Sequence, residues 1–203
     1  MLRIVPLSAA TWDALAELFG EGGDPRWCWC MWWRMRAKDF SAARVPDLRA
    51  GLRALADGSP APGLVALDGD RAVGWVSLGP RSSFERLERS RTIPRVDERP
   101  VWSVVCFTVS GSARGHGVAR QLLDAAVSYA REQGATALEA YPVVPESAGR
   151  IEPDAAFTGT IDLFTRAGFR EVAATRSSAG GRPRVVARRE LDAAGPVERR
   201  AEP

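Results

Sequence analysis

Between Val109 and Arg120 lies the run Ser110-Gly-Ser-Ala-Arg-Gly-His-Gly-Val-Ala119, in which small residues surround Arg114 and His116. Small side chains let backbone N–H groups approach an anion closely. A helix starting just after the run would aim its unpaired N–H donors and partial positive charge at the same spot. A pyrophosphate is the natural guest of such a turn. Gly115 and Gly117 also have a plainer use, because a tight strand-to-helix connection needs backbone angles that glycine tolerates best. The dinucleotide fingerprint Gly-x-Gly-x-x-Gly fails, since Arg120 or Gln121 stands where the third glycine belongs.

The second unusual segment is Arg26-Trp-Cys-Trp-Cys-Met-Trp-Trp-Arg34, where Trp27, Trp29, Trp32 and Trp33 fall within seven positions. Indole pairs a large apolar face with one N–H donor and suits sites that are half apolar and half wet. Such rings can stack an aromatic molecule or hold an ammonium by cation–π contact worth ~0.5–2 kcal/mol. They can equally cap a core or form the contact of a homodimer. Cys28, Cys30 and Cys106 leave one thiol over if two are bridged, so reduced thiols and a cytoplasmic setting are the simpler expectation. No metal site is expected, because a structural zinc wants about four protein ligands and His116 is the only histidine. Cys106 itself reads as a small buried apolar residue.

The elements that must carry these residues follow from periodicity. Leu2 to Leu7 reads as a strand, and Ser8 precedes a helical stripe of Trp12, Leu15, Leu18 and Phe19 that stops at Gly20, Gly22 and Gly23. Pro46 to Ala56 is a helix with Leu48, Leu52 and Leu55 on one face. Gly63 to Leu67 and Ala72 to Leu78 form a hairpin around Asp68-Gly69-Asp70. Ser83 to Ser90 is a short helix, Arg91 to Pro100 a connection and Val101 to Val109 a buried strand. Gly117 to Gln133 is an amphipathic helix with Val118, Leu122, Ala126 and Ala130 on its apolar face, closed by Gly134. Ala137 to Val144 is a strand and Thr158 to Ala167 a helix. Phe169 to Thr175 and Arg184 to Leu191 are a last strand pair around Ala179-Gly180-Gly181. Residues 1–191 make one domain, and Asp192 to Pro203 a frayed tail.

The fold class is α/β with a sheet of mixed direction. A net charge of +3 with arginines interleaved among acids lacks the clustered basic face that nucleic acid requires, so no nucleic-acid partner is expected. No run of ~18 apolar residues spans a bilayer, and the N-terminus lacks a signal-peptide layout, so no membrane partner is expected either.

Taken together, Val105-Cys-Phe-Thr-Val109, Arg114-Gly-His-Gly-Val-Ala119 and the apolar helix starting Arg120-Gln-Leu-Leu resemble the acetyl-CoA signature of the GNAT superfamily, Arg/Gln-x-x-Gly-x-Gly/Ala. Arg114, Gly117 and Ala119 stand at its three defining positions. Downstream, Phe164-Thr-Arg-Ala-Gly168-Phe169 resembles the family's helix ending in an aromatic, three residues and Gly-Phe. The order of elements from Leu2 to Leu191 also follows the family.

The resemblance implies a mixed, largely antiparallel central sheet flanked by helices, with two splayed central strands. It implies acetyl-CoA as cosubstrate, with Phe107, Thr108 and Val109 pairing with the pantetheine arm like an added strand. Arg114, Gly115, His116, Gly117, Val118 and Ala119 would then hold the pyrophosphate. It further implies acetyl transfer to a primary amine, of a small molecule, by direct attack in a ternary complex. The Trp segment follows the first helix, where the family commonly builds its acceptor pocket. The family's usual acid, a tyrosine four before the Gly of Gly-Phe, is here Phe164, which cannot donate a proton. Tyr141 and Glu139, near the splay of the central strands, are the substitutes, although Tyr141 also reads as a core aromatic and Glu139 as a residue on a solvated strand face. Phe164 keeps a non-catalytic acyl-CoA-binding or sensing domain as an alternative, and acetylation of a protein lysine or N-terminus is another.

Overall fold

The computed structural model describes residues 2–23, 25–145 and 157–191; the expected tail from Asp192 to Pro203 lies outside them. In chain order the elements are β1 (Arg3–Pro6), α1 (Trp12–Gly20), α2 (Pro25–Cys28), α3 (Ala37–Ala42), α4 (Val45–Leu55), β2 (Gly63–Asp68), β3 (Arg71–Pro80), α5 (Glu85–Glu88), β4 (Trp102–Val109), α6 (Val118–Glu132), β5 (Ala137–Ala140), α7 (Ile161–Arg166), β6 (Arg170–Ala179) and β7 (Arg182–Glu190). The strands form one sheet in the order β1-β2-β3-β4-β5-β7-β6. Every neighbouring pair is antiparallel except β4 and β5. This is the mixed, largely antiparallel sheet that the residue pattern and the resemblance implied.

The stripe on α6 explains its place. Val118, Leu122, Leu123, Ala126, Val127 and Ala130 are buried on one sheet face with Leu64, Ala66 and Val76. Each buried Val or Leu contributes about 1.5–3 kcal/mol by leaving water. A Cβ at Gly74 of β3 would stand 2.8 Å from Val118 Cγ1 and 2.9 Å from Leu122 Cδ1, so glycine there lets the start of α6 lie against the strand. The other face carries α1, the Trp segment and α4, with Leu15, Phe19, Trp29, Leu52 and Trp75 in one buried cluster.

Several boundaries differ from their sequence expectations, two of them for clear physical reasons. The strand expected to reach Val144 ends at Ala140, and past Pro142 the chain makes only isolated bridges from Val143 to Thr160 and Arg184. The final hairpin is longer than the apolar runs indicated, because β6 is an edge strand whose alternation is between exposed and half-buried residues. The Trp segment is no single element: after α2, Trp29 and Cys30 take φ of 45° and 52°, a left-handed path that periodicity cannot signal.

The decisive feature for the site is where β4 and β5 part. They pair only from Trp102–Leu138 to Val104–Ala140. Beyond Val104, β4 runs on to Val109 with β3 along one edge and no strand along the other among the described residues. The two central strands are therefore splayed.

Candidate functional site

A cleft of about 1270 Å³ opens at this splay. Its walls include Phe107, Thr108 and Val109 of β4, Ser110, Arg114 and Ala119 of the following loop and helix, and Trp27, Trp32 and Trp33 from the aromatic segment. Phe157, Gly159 and Leu163 and the hairpin residues Ser178, Ala179, Gly180 and Arg184 complete it.

The loop has the geometry that an anion site needs. Gly115 and Gly117 take φ of 79° and 76°, and Gly117 is the residue capping α6. A Cβ at either would meet no atom within 4 Å, so these glycines serve backbone conformation and leave the loop's face open. The first helical bond runs from Gln121 N–H to Gly117 O at 3.1 Å, which leaves the N–H groups of Val118, Ala119 and Arg120 without helical acceptors. No acid stands in the first turn of α6 to oppose an incoming anion. Arg114 Nε donates to Val109 O at 3.4 Å, and His116 Nδ1 lies 2.9 Å from Arg114 O. The Val118 side chain is buried against β3, so only its backbone can serve a ligand.

On β4 the Phe107 N–H points away from β3 and donates to Phe157 O at 2.7 Å. Thr108 Oγ1 is buried with no hydrogen-bond partner. At the loop end, Glu21 accepts from Arg71 Nη2 at 2.6 Å and from Ser110 Oγ at 3.0 Å. The Arg71 bond, more than the Ser110 bond, holds this carboxyl below its ordinary range.

Tyr141 and Glu139 do not line the cleft. Tyr141 is 0% and Glu139 2% exposed, which corrects the expectation of a solvated strand face for the glutamate. Tyr141 donates to Glu139 Oε2 at 3.1 Å, and its oxygen lies 2.9 Å from Ser103 Oγ. Glu139 Oε1 accepts from Arg188 Nη2 at 2.7 Å and Nε at 3.1 Å, while Arg188 Nη1 reaches Asp97 at 2.6 Å. Burial, with the Glu139 charge second, pushes the Tyr141 hydroxyl well above its ordinary pKa. These contacts make the pair a buried polar joint between β4, β5 and β7, set back from the cleft walls.

The four tryptophans divide. Trp27 is 56% and Trp32 41% exposed, and both face the cleft with Arg26 and Arg86 over their rings at 4.3 Å and 3.8 Å. Trp33 is buried yet still lines the cleft. Trp29 does not line it; its ring stacks on Trp12 at 5.9 Å and meets Phe19 edge-on at 5.4 Å, as core packing.

Sequence reasoning missed four contributors. Cys28, Cys30 and Cys106 all line the cleft, with the Cys30 and Cys106 sulfurs 3.7 Å apart and Trp75 Nε1 donating to Cys30 Sγ at 3.1 Å. That thiol pairing, first among several causes, raises the Cys30 pKa well above normal and keeps it a neutral thiol. Arg184 was read only as a strand end. Among the described residues no group of three or more His, Cys, Asp or Glu is arranged to hold a metal, and no helix is long and apolar enough to cross a membrane.

Phe164, at the position of the absent tyrosine, is fully buried and packs edge-on against Phe107 at 6.0 Å and Phe169 at 5.1 Å.

Known proteins place this architecture. The description Acetyltransferase (GNAT) family matches residues 24–152, more than half of the chain. Among curated proteins none matches in sequence. Solved structures share the fold. The Drosophila melanogaster polyamine N-acetyltransferase, described as forming N-acetylagmatine, is 12% identical with a TM-score of 0.58, over 94% of this chain and 100% of its own. A GCN5-related N-acetyltransferase from Kribbella flavida is 21% identical with a TM-score of 0.54, over 94% and 98%. A GNAT-family acetyltransferase from Streptococcus pneumoniae is 14% identical with a TM-score of 0.55, over 95% and 100%. With the signature at Arg114, Gly117 and Ala119 on an open helix terminus beside a splayed β4, the chain belongs to the GNAT family of acetyltransferases.

Proposed function

We propose that the protein moves an acetyl group from acetyl-CoA to the primary amine of a small molecule, by direct attack in a ternary complex. The observation that carries this reading is the continuity of one cleft, from the α6 loop at Arg114 and Ala119 to the exposed rings of Trp27 and Trp32. A cosubstrate at one end and an acceptor at the other can then meet without a covalent relay. Neighbours described as acetylating polyamines and agmatine support a small amine as the acceptor class.

Acetyl-CoA supplies the thioester. The residues that would hold it are the α6 terminus with Arg114 to Ala119 for the pyrophosphate and the free edge of β4 from Phe107 to Val109 for the pantetheine amides, which add to the sheet as a strand would. The amine nitrogen attacks the thioester carbonyl, an N–C bond forms, the C–S bond breaks, the nitrogen gives up a proton and the departing thiolate takes one up. Phe164 has no proton to give. The walls of the cleft include Cys28 and Cys106, whose S–H groups can donate, and an open cleft also admits water. Trp27, Trp32 and Trp33 would form the acceptor side.

Incubation of the protein with acetyl-CoA and a panel of primary amines, with free-thiol detection and intact-mass analysis of products, tests this. Thiol release that depends on the amine, with mass gain on the amine, is expected. Acetyl-CoA binding without any thiol release would instead make the protein an acyl-CoA sensor.

A further inference from the structure

Arg184 is 6% exposed and lines the cleft, yet no carboxylate among the described residues lies within 4.0 Å of it. Its Nη1 donates to Ser178 O at 3.0 Å and Ser177 Oγ at 3.3 Å, while its buried Nε has no hydrogen-bond partner among the described residues. Aromatic rings flank it, Phe157 at 5.3 Å and Trp33 at 6.0 Å. Arg81 and Arg188 are compensated, Arg81 by Glu88 and Arg188 by Glu139 and Asp97. Among the described residues Arg34, like Arg184, bonds only neutral groups and leaves its Nε unpaired, but it lines neither the cleft nor the adjoining cavity, so Arg184 alone of these two faces a space that a ligand can enter. A guanidinium stays charged at neutral pH, and a charge removed from water without a counter-ion costs several kcal/mol. Among the described residues, therefore, Arg184 has no anion.

The surroundings point the same way. Arg184, Trp32, Trp33 and Ser178 are shared with an adjoining cavity of about 660 Å³, whose other charged walls among the described residues are Arg36, Lys38, Arg86 and Arg89, with no acid among them. Glu85 pairs with Arg36 and Arg89, but Arg86 has a buried Nη2 with no hydrogen-bond partner among the described residues. A purely cationic amine would meet like charge here, whereas an acceptor with an anionic end would be drawn in.

We propose that the acceptor carries a carboxylate as well as the amine, that Arg184 binds this carboxylate through its unpaired Nε edge, and that the acceptor class is the aromatic α-amino acids, whose rings meet Trp27 and Trp32. A guanidinium edge and a carboxylate match two-on-two, which fixes the amine's direction as well as its affinity. The inference rests on the acetyl-transfer reading.

The test compares L-phenylalanine, L-tyrosine and L-tryptophan with their carboxamides as acceptors, on the wild type, Arg184→Gln and Arg184→Lys. Acetyl-CoA affinity is measured in parallel by calorimetry. The acids should have KM at least about tenfold below their amides; Arg184→Gln should raise the acids' KM by about 10–100-fold, the range for a hydrogen bond to a charged group, and move the amides by less than about twofold. Arg184→Lys should recover part of the loss, and neither variant should change acetyl-CoA affinity. Equal use of acid and amide, or no thiol release from any of the acids with acetyl-CoA still bound, overturns the carboxylate assignment and leaves the cosubstrate site standing. Loss of acetyl-CoA binding in the wild type would instead bring down the underlying reading. If Glu152→Gln/Asp154→Asn lowers Tm in the wild type but not in Arg184→Gln, the chain supplies its own counter-ion, and the proposal falls.

Discussion

The Phe107 N–H is held by the carbonyl of Phe157 at 2.7 Å, on the stretch of β4 edge that no strand among the described residues covers. A pantetheine amide pairing with that edge must replace this bond. Exchanging one hydrogen bond for another is worth about 0.5–1.5 kcal/mol, so loosening Phe157 should help the newcomer. Phe157→Gly is expected to tighten acetyl-CoA by about 2- to 10-fold in calorimetry. Weaker binding would mean that the Phe157 carbonyl supports the cosubstrate instead of competing with it.

Gly117 separates strain from charge. Its φ of 76° is left-handed, and a Cβ there meets no atom within 4 Å. Gly117→Ala should therefore lower stability by about 1–2 kcal/mol through backbone conformation alone, a Tm shift of about 2–8 °C, with little change in acetyl-CoA affinity. Gly117→Asp should show the same Tm shift and weaken acetyl-CoA at least about tenfold, since its carboxylate would face the pyrophosphate at the α6 terminus. Equal affinity in the two variants would move the pyrophosphate elsewhere.

Tyr141→Phe should leave kcat within about twofold and cost about 1–3 kcal/mol of stability, because Ser103 and Glu139 lose a buried partner. The pH dependence has a definite sign. Burial raises the folded-state pKa of Tyr141 above its unfolded value of about 10, so this contribution is whole below about pH 10 and is lost as pH rises beyond it. Wild-type Tm should fall more steeply above about pH 10 than that of Tyr141→Phe. A kcat loss of about a hundredfold or more would restore the tyrosine as the acid.

The tryptophans should sort by exposure. Trp27→Leu and Trp32→Leu are expected to raise acceptor KM while Tm and acetyl-CoA affinity hold. Trp29→Leu should lose stability alone, up to the ~3–5 kcal/mol of large core truncations, since its ring packs on Trp12 and Phe19. Trp33→Leu should do both, being buried and cleft-lining at once. Chemical denaturation and acceptor titration on the same four variants decide it.

What could be read beforehand was local. Gly115 and Gly117 announce a turn, and Val118, Leu122, Ala126 and Ala130 announce the helix face behind it, because both signals sit within a few residues. The same holds for the hairpin at Asp68-Gly69-Asp70. The burial of Glu139 is not legible because its neighbours in sequence say nothing of Arg81 and Arg188, which reach it across the fold. Arg184 is silent in sequence for the same reason: only tertiary packing can bury a guanidinium with no counter-ion among the described residues. The four indoles looked alike in sequence, and the left-handed turn at Trp29 and Cys30 is what sent them different ways.

The tip of the β6–β7 hairpin, where Ser178, Ala179 and Gly180 close the cleft, lies at the opposite end of β7 from its pairing with β5, which runs from Ala140–Ala187 to Ala137–Glu190. Gly181 at the tip has open space on all sides within 4 Å of a would-be Cβ. Residues inserted or exchanged there would reshape the rim over the acceptor without shifting the register that anchors β7 in the sheet. The glycine loop before α6 would not register the change. On the proposed reading, acceptor choice and cosubstrate choice would rest on parts of the chain that can diverge separately, and this hairpin would be the place to graft a new acceptor preference onto an unchanged acetyl-donor half.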